Sequence, residues 1–541
     1  MPTRNIIGSD ADDLITGSPE DDAIKALGGA DDVSARQGDD RVLGGEGDDR
    51  LAGQSGDDRL IGDEGDDRMI GGRGRDTMIW NNGDGSDVMA GGKGRDTAVA
   101  NGSDEAGDAF RMETTEDGVL FERTNFGEFS INIRTTEEMI VRGGGGDDLL
   151  DATALEAGSI ALRAFGGAGS DTLIGSQGDD ELRGDGGADR LVGFRGDDVM
   201  IGGKGRDALV WNNGDGSDLM RGQAGFDSVE VNGSDEAGDV FEVRSTDDGA
   251  LFERVNFGNF ALDMRSVERL AVSGGGGDDV LDATGLLADG SKLRAFGGAG
   301  NDALAGGEGD DILKGDAGDD LLTGDRGADR MLGGDGDDVM VWNNGDGSDL
   351  MDGGAGTDVA RANGSDADAD VFEISDGANG VDFARTNRGE FTLDIRDAET
   401  VEVNGLGGDD VVDATELLFS DVSVVADGGA GNDVLTGGGA DDALTGGTGD
   451  DRLDGGLGDD LLTGGAGADV FVFSAGDDTV TDFADGEDLI DMSGLLGVDD
   501  FADIAGGISQ EAAGALISVG GGDLLLEGVT AADLDANDFI F

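Results

Sequence analysis

Residues 44 to 79 read GGEGDDRLA GQSGDDRLI GDEGDDRMI GGRGRDTMI, four consecutive nonapeptides on one template. Each carries glycine at the fourth place, aspartate at the sixth (Asp49, Asp58, Asp67, Asp76) and a large apolar residue at the eighth (Leu51, Leu60, Met69, Met78). The glycines permit positive φ and a tight turn whose carbonyls point inward, which a chain with Cβ atoms resists. Carboxylate and carbonyl oxygens together are the donor set of a hard divalent cation, which takes about six to eight of them. One turn supplies too few.

If each nonapeptide makes one turn and one short strand, two complete a coil, and turns eighteen residues apart stack on the same edge. Asp49 then lies above Asp67 and Asp58 above Asp76, and an ion between stacked turns draws carbonyls and the sixth-place carboxylate from both. The eighth-place residue points into the coil, so the interior is a narrow stack of Leu and Met. So thin a core needs the ions to help hold it.

The template resembles the RTX (hemolysin-type) nonapeptide repeat. That resemblance implies an all-β fold, a right-handed parallel β-roll or β-helix solenoid, with Ca2+ held at its Gly-Asp turns. Carried over residue by residue, it gives the ligands Asp49, Asp58, Asp67, Asp76, Asp87 and Asp96 in the first run, and Asp171, Asp180, Asp189, Asp198, Asp207, Asp218 and Asp227 in the second. The third run supplies Asp302, Asp311, Asp320, Asp329, Asp338, Asp349 and Asp358, and the fourth Asp433, Asp442, Asp451, Asp460 and Asp469. Carbonyl donors are expected at Gly44, Gly47, Gly62, Gly65, Gly306, Gly309, Gly446 and Gly449. With one site per pair of stacked turns, the runs hold about twenty ions. Early positions are less regular: Asp22 follows Pro19 and lacks the fourth-place glycine, and Asp32 and Asp40 interrupt the nine-residue step.

The composition points the same way. Glycine occurs 107 times in 541 residues and aromatics make up only 5%, which argues against conventional packed cores. Asp+Glu of 121 against Lys+Arg of 36 gives a net charge of −85. A metal-free chain of this charge and low hydrophobicity repels itself into disorder, so metal binding becomes folding free energy. Without Cys there are no disulfides or thiolate sites; without His there are no imidazole bases and none of the usual zinc ligands. MPTRNIIGSDADDLITG enters the repeat almost at once, so a charged-then-apolar signal peptide is not expected; no run approaches the length of a transmembrane helix, and the acidity speaks against nucleic acid as a partner.

A longer period overlies the short one. WNNGDGSD recurs at Trp80, Trp211 and Trp342, and GGAG at Gly166, Gly297 and Gly428, both at a spacing of 131 residues. The expected organisation is four rolls (1–99, 166–230, 297–361, 428–481) alternating with three β-rich inserts (100–165, 231–296, 362–427) and ending in a cap at 482–541. Runs such as VFEV, LFER and FALDM between Gly, Asn and Asp turns predict strands in the inserts. These inserts are expected to continue the solenoid as wider coils, with separate small β-modules as the alternative. Each also holds one isolated turn of the same type, GGGGDD at 143–148 and 274–279 and GLGGDD at 405–410.

Three further features bear on function. The tryptophans fit either a sugar-stacking row or, better, the seam where a narrow coil widens. Arg123, Arg254 and Arg385, each two residues before an Asn, fit pairing with carboxylates better than an anion or glycan site. Carboxylates are too abundant for any pair to mark a glycosidase, and HExxH is impossible without His; no enzyme is expected. Residues 469–496 are similar to the segment after the β-roll in secreted RTX proteases, and the closing DANDFIF resembles a type I secretion signal. The resemblance implies export from a Gram-negative bacterium, with the secretion machinery as transient partner and calcium-driven folding outside. The expected function is a non-enzymatic extracellular solenoid; the alternatives are an adhesin that binds polysaccharide or a cell surface through the inserts, and, more remotely, a carbohydrate-active enzyme.

Overall fold

The computed structural model describes residues 3–125, 127–288, 290–520 and 522–541. The chain divides into two compact units, Met1–Gly233 with Arg244–Val272, and Ser234–Val243 with Ser273–Phe541. Each is a parallel β-solenoid.

In the first unit every nonapeptide gives one strand and one turn. Arg41–Glu46 pairs in parallel with Arg59–Glu64 (Val42 opposite Leu60), and Arg50–Ser55 with Arg68–Gly74 (Leu51 opposite Met69). Alternate strands therefore build two facing sheets, and the eighth-place side chains Leu51, Leu60, Met69 and Met78 point between them, fully buried. A strand's period-two alternation explains why the seventh-place arginines, such as Arg50 and Arg59, stay outside. At the turn, Gly47 has φ +118°, and a Cβ there would meet the carbonyl oxygen of Gly29 in the preceding layer at 2.2 Å. Both the backbone and the close stacking demand glycine.

In the second unit the same ladder runs from Arg330–Asp335 to Leu350–Ala355 and from Ala443–Thr448 to Leu461–Ala466. The Trp-containing repeats lengthen the step to twenty residues without breaking register: Val88 lies opposite Arg68, and Leu350 opposite Arg330.

The first and third inserts, each wholly within one unit, continue the solenoid in a form between the two expectations. On one face Thr97–Asn101 pairs directly with Glu138–Gly145. On the other, a three-stranded antiparallel meander, Ala109–Thr115, Gly118–Arg123 and Phe129–Arg134, stands where one parallel strand would be. Its last strand pairs back to Val88–Gly94 and its first forward to Leu149–Ala154. The third insert repeats this with Val371–Asp376, Val381–Arg385 and Phe391–Arg396.

The tryptophans occupy the seams. Trp80, Trp211 and Trp342 are fully buried. Each stacks on the first phenylalanine of the meander's third strand (Phe129, Phe260, Phe391) at 3.8 Å between centroids. Each indole N–H donates to a turn carbonyl, of Gly85, Gly216 or Gly347, at 3.0 Å. No indole face is left for a sugar.

The C-terminal segment ends its unit with a related device. Ile508–Gln510, Gly514–Val519 and Gly522–Glu527 form an antiparallel meander whose last strand pairs in parallel with Asp477–Val480. Phe539–Ile540 adds to Leu489–Asp491, and Phe539 packs against Phe501. Among the described residues no helix is long and apolar enough to cross a membrane.

Candidate metal centres

All the sixth-place aspartates predicted as ligands are buried, none more than 5% exposed. One oxygen of each typical carboxylate is used within the stack: Asp31 N–H donates to Asp49 Oδ1 at 2.8 Å, and Asp49 N–H donates to Asp67 Oδ1 at 2.8 Å. The sequence thus places Asp49 over Asp67 correctly, and likewise Asp58 over Asp76, at 2.9 Å. The second oxygen, Oδ2, is buried without a partner in every predicted aspartate except Asp180, Asp311, Asp442 and Asp469.

At several of these turns the free oxygen lies beside a carbonyl. A Cβ on Gly44 would meet Asp49 Oδ2 at 2.2 Å and the carbonyl oxygen of Gly62 at 2.5 Å; one on Gly446 would meet Asp451 Oδ2 at 2.5 Å and the Gly464 carbonyl at 2.7 Å. The first-place glycine therefore leaves open the space on which an anionic oxygen and a neutral oxygen of the next layer converge. Gly62 serves twice, giving its carbonyl to one centre and room for Asp67 Oδ2, at 2.0 Å, in the next. Gly47, Gly65 and Gly449 lie at the fourth place with φ of +118°, +139° and +133° and shape the turns. Among the described residues no group of three or more carboxylates gathers at one point. Any cation in these turns must draw on backbone carbonyls as well.

The electrostatics are those of an uncompensated stack. Burial, reinforced by neighbouring carboxylates, pushes Asp58 and Asp67 up to about 7 and Asp87 up to about 8. Burial, with Asp218 and Asp349 as the strongest like-charge neighbours, raises Asp198 and Asp329 to about 9. The N–H groups donating to Oδ1 oppose the shift and do not cancel it. A buried carboxylate without a counter-charge costs several kcal/mol. A hard cation at the convergence of Oδ2 and the glycine carbonyl would remove that cost, and the donor chemistry fits calcium.

The family model for the RTX calcium-binding nonapeptide repeat matches residues 7–42, 43–78, 81–105, 165–199, 174–209, 296–331, 305–340, 425–453 and 445–480. The chain carries RTX calcium-binding nonapeptide repeats. Its RTX repeats make it a calcium-binding β-roll chain. A search of curated proteins returns no match. Among solved structures, the extracellular lipase LipA from Serratia marcescens is 21% identical over 46% of this chain, with a TM-score of 0.16. The likeness spans 40% of the lipase chain, and at that score it carries no argument about this one.

Within the RTX runs the structure separates two kinds of turn that look alike in sequence. In the open kind the second-place residue is left-handed, whether glycine (Gly45, φ +126°) or not (Gln54, φ +77°), and Oδ2 is free. In the closed kind the second-place N–H donates to Oδ2: Ser18 to Asp22, Ser176 to Asp180, Gly307 to Asp311 at 2.9 Å and Gly438 to Asp442 at 2.6 Å. Asp180, Asp311 and Asp442, predicted as ligands, thus differ from expectation. So do Gly306 and Gly309, whose turn has the consensus GGEGDD yet lacks the left-handed fourth place. The reason lies in the layer beneath. Glu308 N–H donates to Leu286 O and Leu293 N–H to Asp311 Oδ1, so this turn rests on an insert loop and has no glycine turn below it.

Sequence reasoning missed several members. Asp31, not Asp32, is in the buried series; Asp32 is exposed on its strand, and Asp40 keeps the nine-residue step. Both Asp31 and Asp40 have a free Oδ2. The fifth-place aspartates stitch the stack in the opposite direction: Asp57 N–H donates to Asp39 Oδ1 at 2.8 Å and Asp66 N–H to Asp48 Oδ1 at 3.0 Å. The recurring Asp-Asp doublet was the available signal.

The arginines that recur at the 131-residue period are engaged within the inserts. Arg123 Nη1 donates to Asp108 Oδ1 at 3.1 Å and to Asn82 Oδ1 at 2.6 Å, and its Nε and Nη2 to Gly127 O. Arg385 repeats this with Asp370, Asn344 and Gly389. The Nε of Arg385 is buried without a partner, so its commitments run through Nη1 and Nη2.

Proposed function

We propose that this protein is a non-enzymatic, extracellular solenoid whose rolls fold around calcium. In this reading the ions sit between stacked open turns. Asp49, Asp58, Asp67, Asp76, Asp87 and Asp96 and their counterparts in the later rolls supply carboxylates, while first-place glycines such as Gly44, Gly62 and Gly446 supply carbonyls. The closed turns at Asp180, Asp311 and Asp442 take no part. The carrying observation is the row of buried, unpartnered Oδ2 atoms, which at Asp49, Asp320, Asp338, Asp433 and Asp451 lie beside a glycine carbonyl of the next layer.

Calcium acts here as a structural staple, and no reaction is assigned to it. A chain of net charge −85 stays unfolded at low calcium, which suits passage through a type I conduit, and it folds where calcium is abundant. The role outside is structural, in a matrix or at a surface. A glycan-binding role for the inserts gains no support, since their indoles are buried and Arg123 and Arg385 are paired with Asp108 and Asp370.

Equilibrium dialysis of the full chain against calcium tests the reading. About twenty bound ions are expected, falling in a variant carrying Asp49→Asn, Asp67→Asn and Asp87→Asn. Binding of only a few ions, or a count unchanged in that variant, would defeat it.

A further inference from the structure

An asparagine followed by glycine exposes its side-chain amide to attack by the next backbone nitrogen, because glycine has no Cβ to obstruct the approach. The dipeptide occurs eight times in this chain, and the fold does not treat the copies alike. At Asn101, Asn363 and Asn404 the following glycine N–H is tied into the ladder, donating to Arg142 O at 2.7 Å, Asn404 O at 2.8 Å and Asp427 O at 2.7 Å. Their Nδ2 groups are held as well, by Asn81, Asn343 and Asn363 Oδ1 at 2.9 to 3.0 Å. Neither the nucleophile nor the leaving group is free there.

Asn82, Asn213 and Asn344 are the opposite case. They stand two residues after the three buried tryptophans, in turns that leave them exposed. The glycines that follow, Gly83, Gly214 and Gly345, have φ of +108°, +101° and +109°, and a Cβ on any of them would have nothing within 4 Å. Among the described residues nothing accepts from their N–H groups. What each asparagine does have is a cation on its carbonyl oxygen. Arg123, Arg254 and Arg385 Nη1 donate to Asn82, Asn213 and Asn344 Oδ1 at 2.6, 2.8 and 2.7 Å. A guanidinium so placed draws electrons from Cγ and stabilises the negative charge that develops on the oxygen when that carbon is attacked.

We propose that Asn82, Asn213 and Asn344 are sites of spontaneous, arginine-assisted deamidation. Solvent takes the proton of the glycine N–H, and the nitrogen lone pair forms a bond to Cγ. The Cγ–Nδ2 bond then breaks, and Nδ2 takes up a proton from solvent and leaves as ammonia. Water opens the resulting cyclic imide at one carbonyl or the other, giving aspartate or isoaspartate. Each conversion adds one negative charge. At Asn82 and Asn344 it sets a second carboxylate on a guanidinium that already serves Asp108 or Asp370, at 3.1 and 3.2 Å. The seams between roll and insert thereby keep an irreversible chemical record of the time the chain has spent folded.

The test is the wild-type full chain, kept folded with calcium in warm, mildly alkaline buffer, with each Asn-Gly peptide followed over time by mass spectrometry and isoaspartate by methyltransferase labelling. Asn379 is the reference, since it is exposed and precedes a glycine, and among the described residues no arginine donates to its amide. Asn82, Asn213 and Asn344 should convert about tenfold faster than Asn379, and Asn101, Asn363 and Asn404 more slowly than it. In the chain unfolded by urea and chelator the rates should draw level. Arg123→Met should slow Asn82 to the rate of Asn379 and leave Asn344 unchanged. If that variant does not reach the wild-type β signal, the comparison within the wild type decides alone. Conversion at the three seam sites no faster than at Asn379, or a lead that persists in the unfolded chain, overturns the proposal.

Discussion

The roll at 44–96 and the insert at 100–165 belong to the same compact unit and share sheets, yet they meet buried negative charge in opposite ways. The roll leaves a carboxylate oxygen bare in every open turn and fills its interior with Leu and Met. The insert ties Asp108 to Arg123 and packs Trp80, Phe129, Phe121 and Phe110 in one aromatic series. A side chain that carries the cation needs room for its stem and a larger core to hold it. A bound ion needs neither, so the roll shrinks to nine residues per strand and turn. The roll becomes conditional on a solute, while the insert carries more of its stability within the chain.

This contrast can be broken from the insert side first. Trp80→Ala removes a fully buried indole and its stacking on Phe129, and should cost about 3–5 kcal/mol in denaturant unfolding at saturating calcium. A cost near that of a surface substitution would mean that the seam is not a packed core. Arg385→Met leaves Asp370 buried without its guanidinium and should cost about 3 kcal/mol, at the low end for a broken buried pair. If that variant instead gained one calcium at the vacated turn, the metal would be standing in for the arginine, and the equivalence of the two cations would be sharpened.

On the roll side, pH should mimic metal weakly. Burial and neighbouring carboxylates raise Asp49 and Asp76 to about 6 and Asp58 and Asp67 to about 7, against about 3.9 for an unfolded aspartate. Between those values the folded metal-free roll holds more protons than the unfolded chain, so its stability rises as pH falls from about 7 towards 4 and is lost as pH rises through the folded values. In chelator, amide protection in the 44–96 roll should be greater at pH 5 than at pH 7.5; the reverse order would show that these carboxylates are not buried in the metal-free state. The smallest effect belongs to the fifth place. Asp48→Asn keeps the acceptor for Asp66 N–H on an exposed residue, so stability should change by about 0.5 kcal/mol or less. A larger loss would make the outer stitch as important as the inner one.

What was legible in the sequence followed from strictly local rules. Nine-residue spacing fixes which side chains point inward, so Leu51 and Met69 could be placed in the core and Asp49 set above Asp67. Identical surroundings at Trp80, Trp211 and Trp342 indicated the seam. Features that depend on the layer beneath were hidden. GGEGDD at 44–49 and at 306–311 is the same string, yet the first rests on a glycine turn and opens, while the second rests on the Leu286 loop and closes. The Arg123–Asp108 pair joins residues fifteen apart through a meander whose pairing order no periodicity shows. The confusion of Asp32 with Asp31 came from reading an Asp-Asp doublet one residue out of register, which turns an inward carboxylate outward.

Far-UV circular dichroism during a calcium titration of chelator-treated full chain, with magnesium as the control, tests most directly whether calcium folds the rolls. A cooperative coil-to-β transition with calcium, and none with magnesium, is the predicted result. A full β spectrum before any metal is added, or an equal response to magnesium, would contradict it.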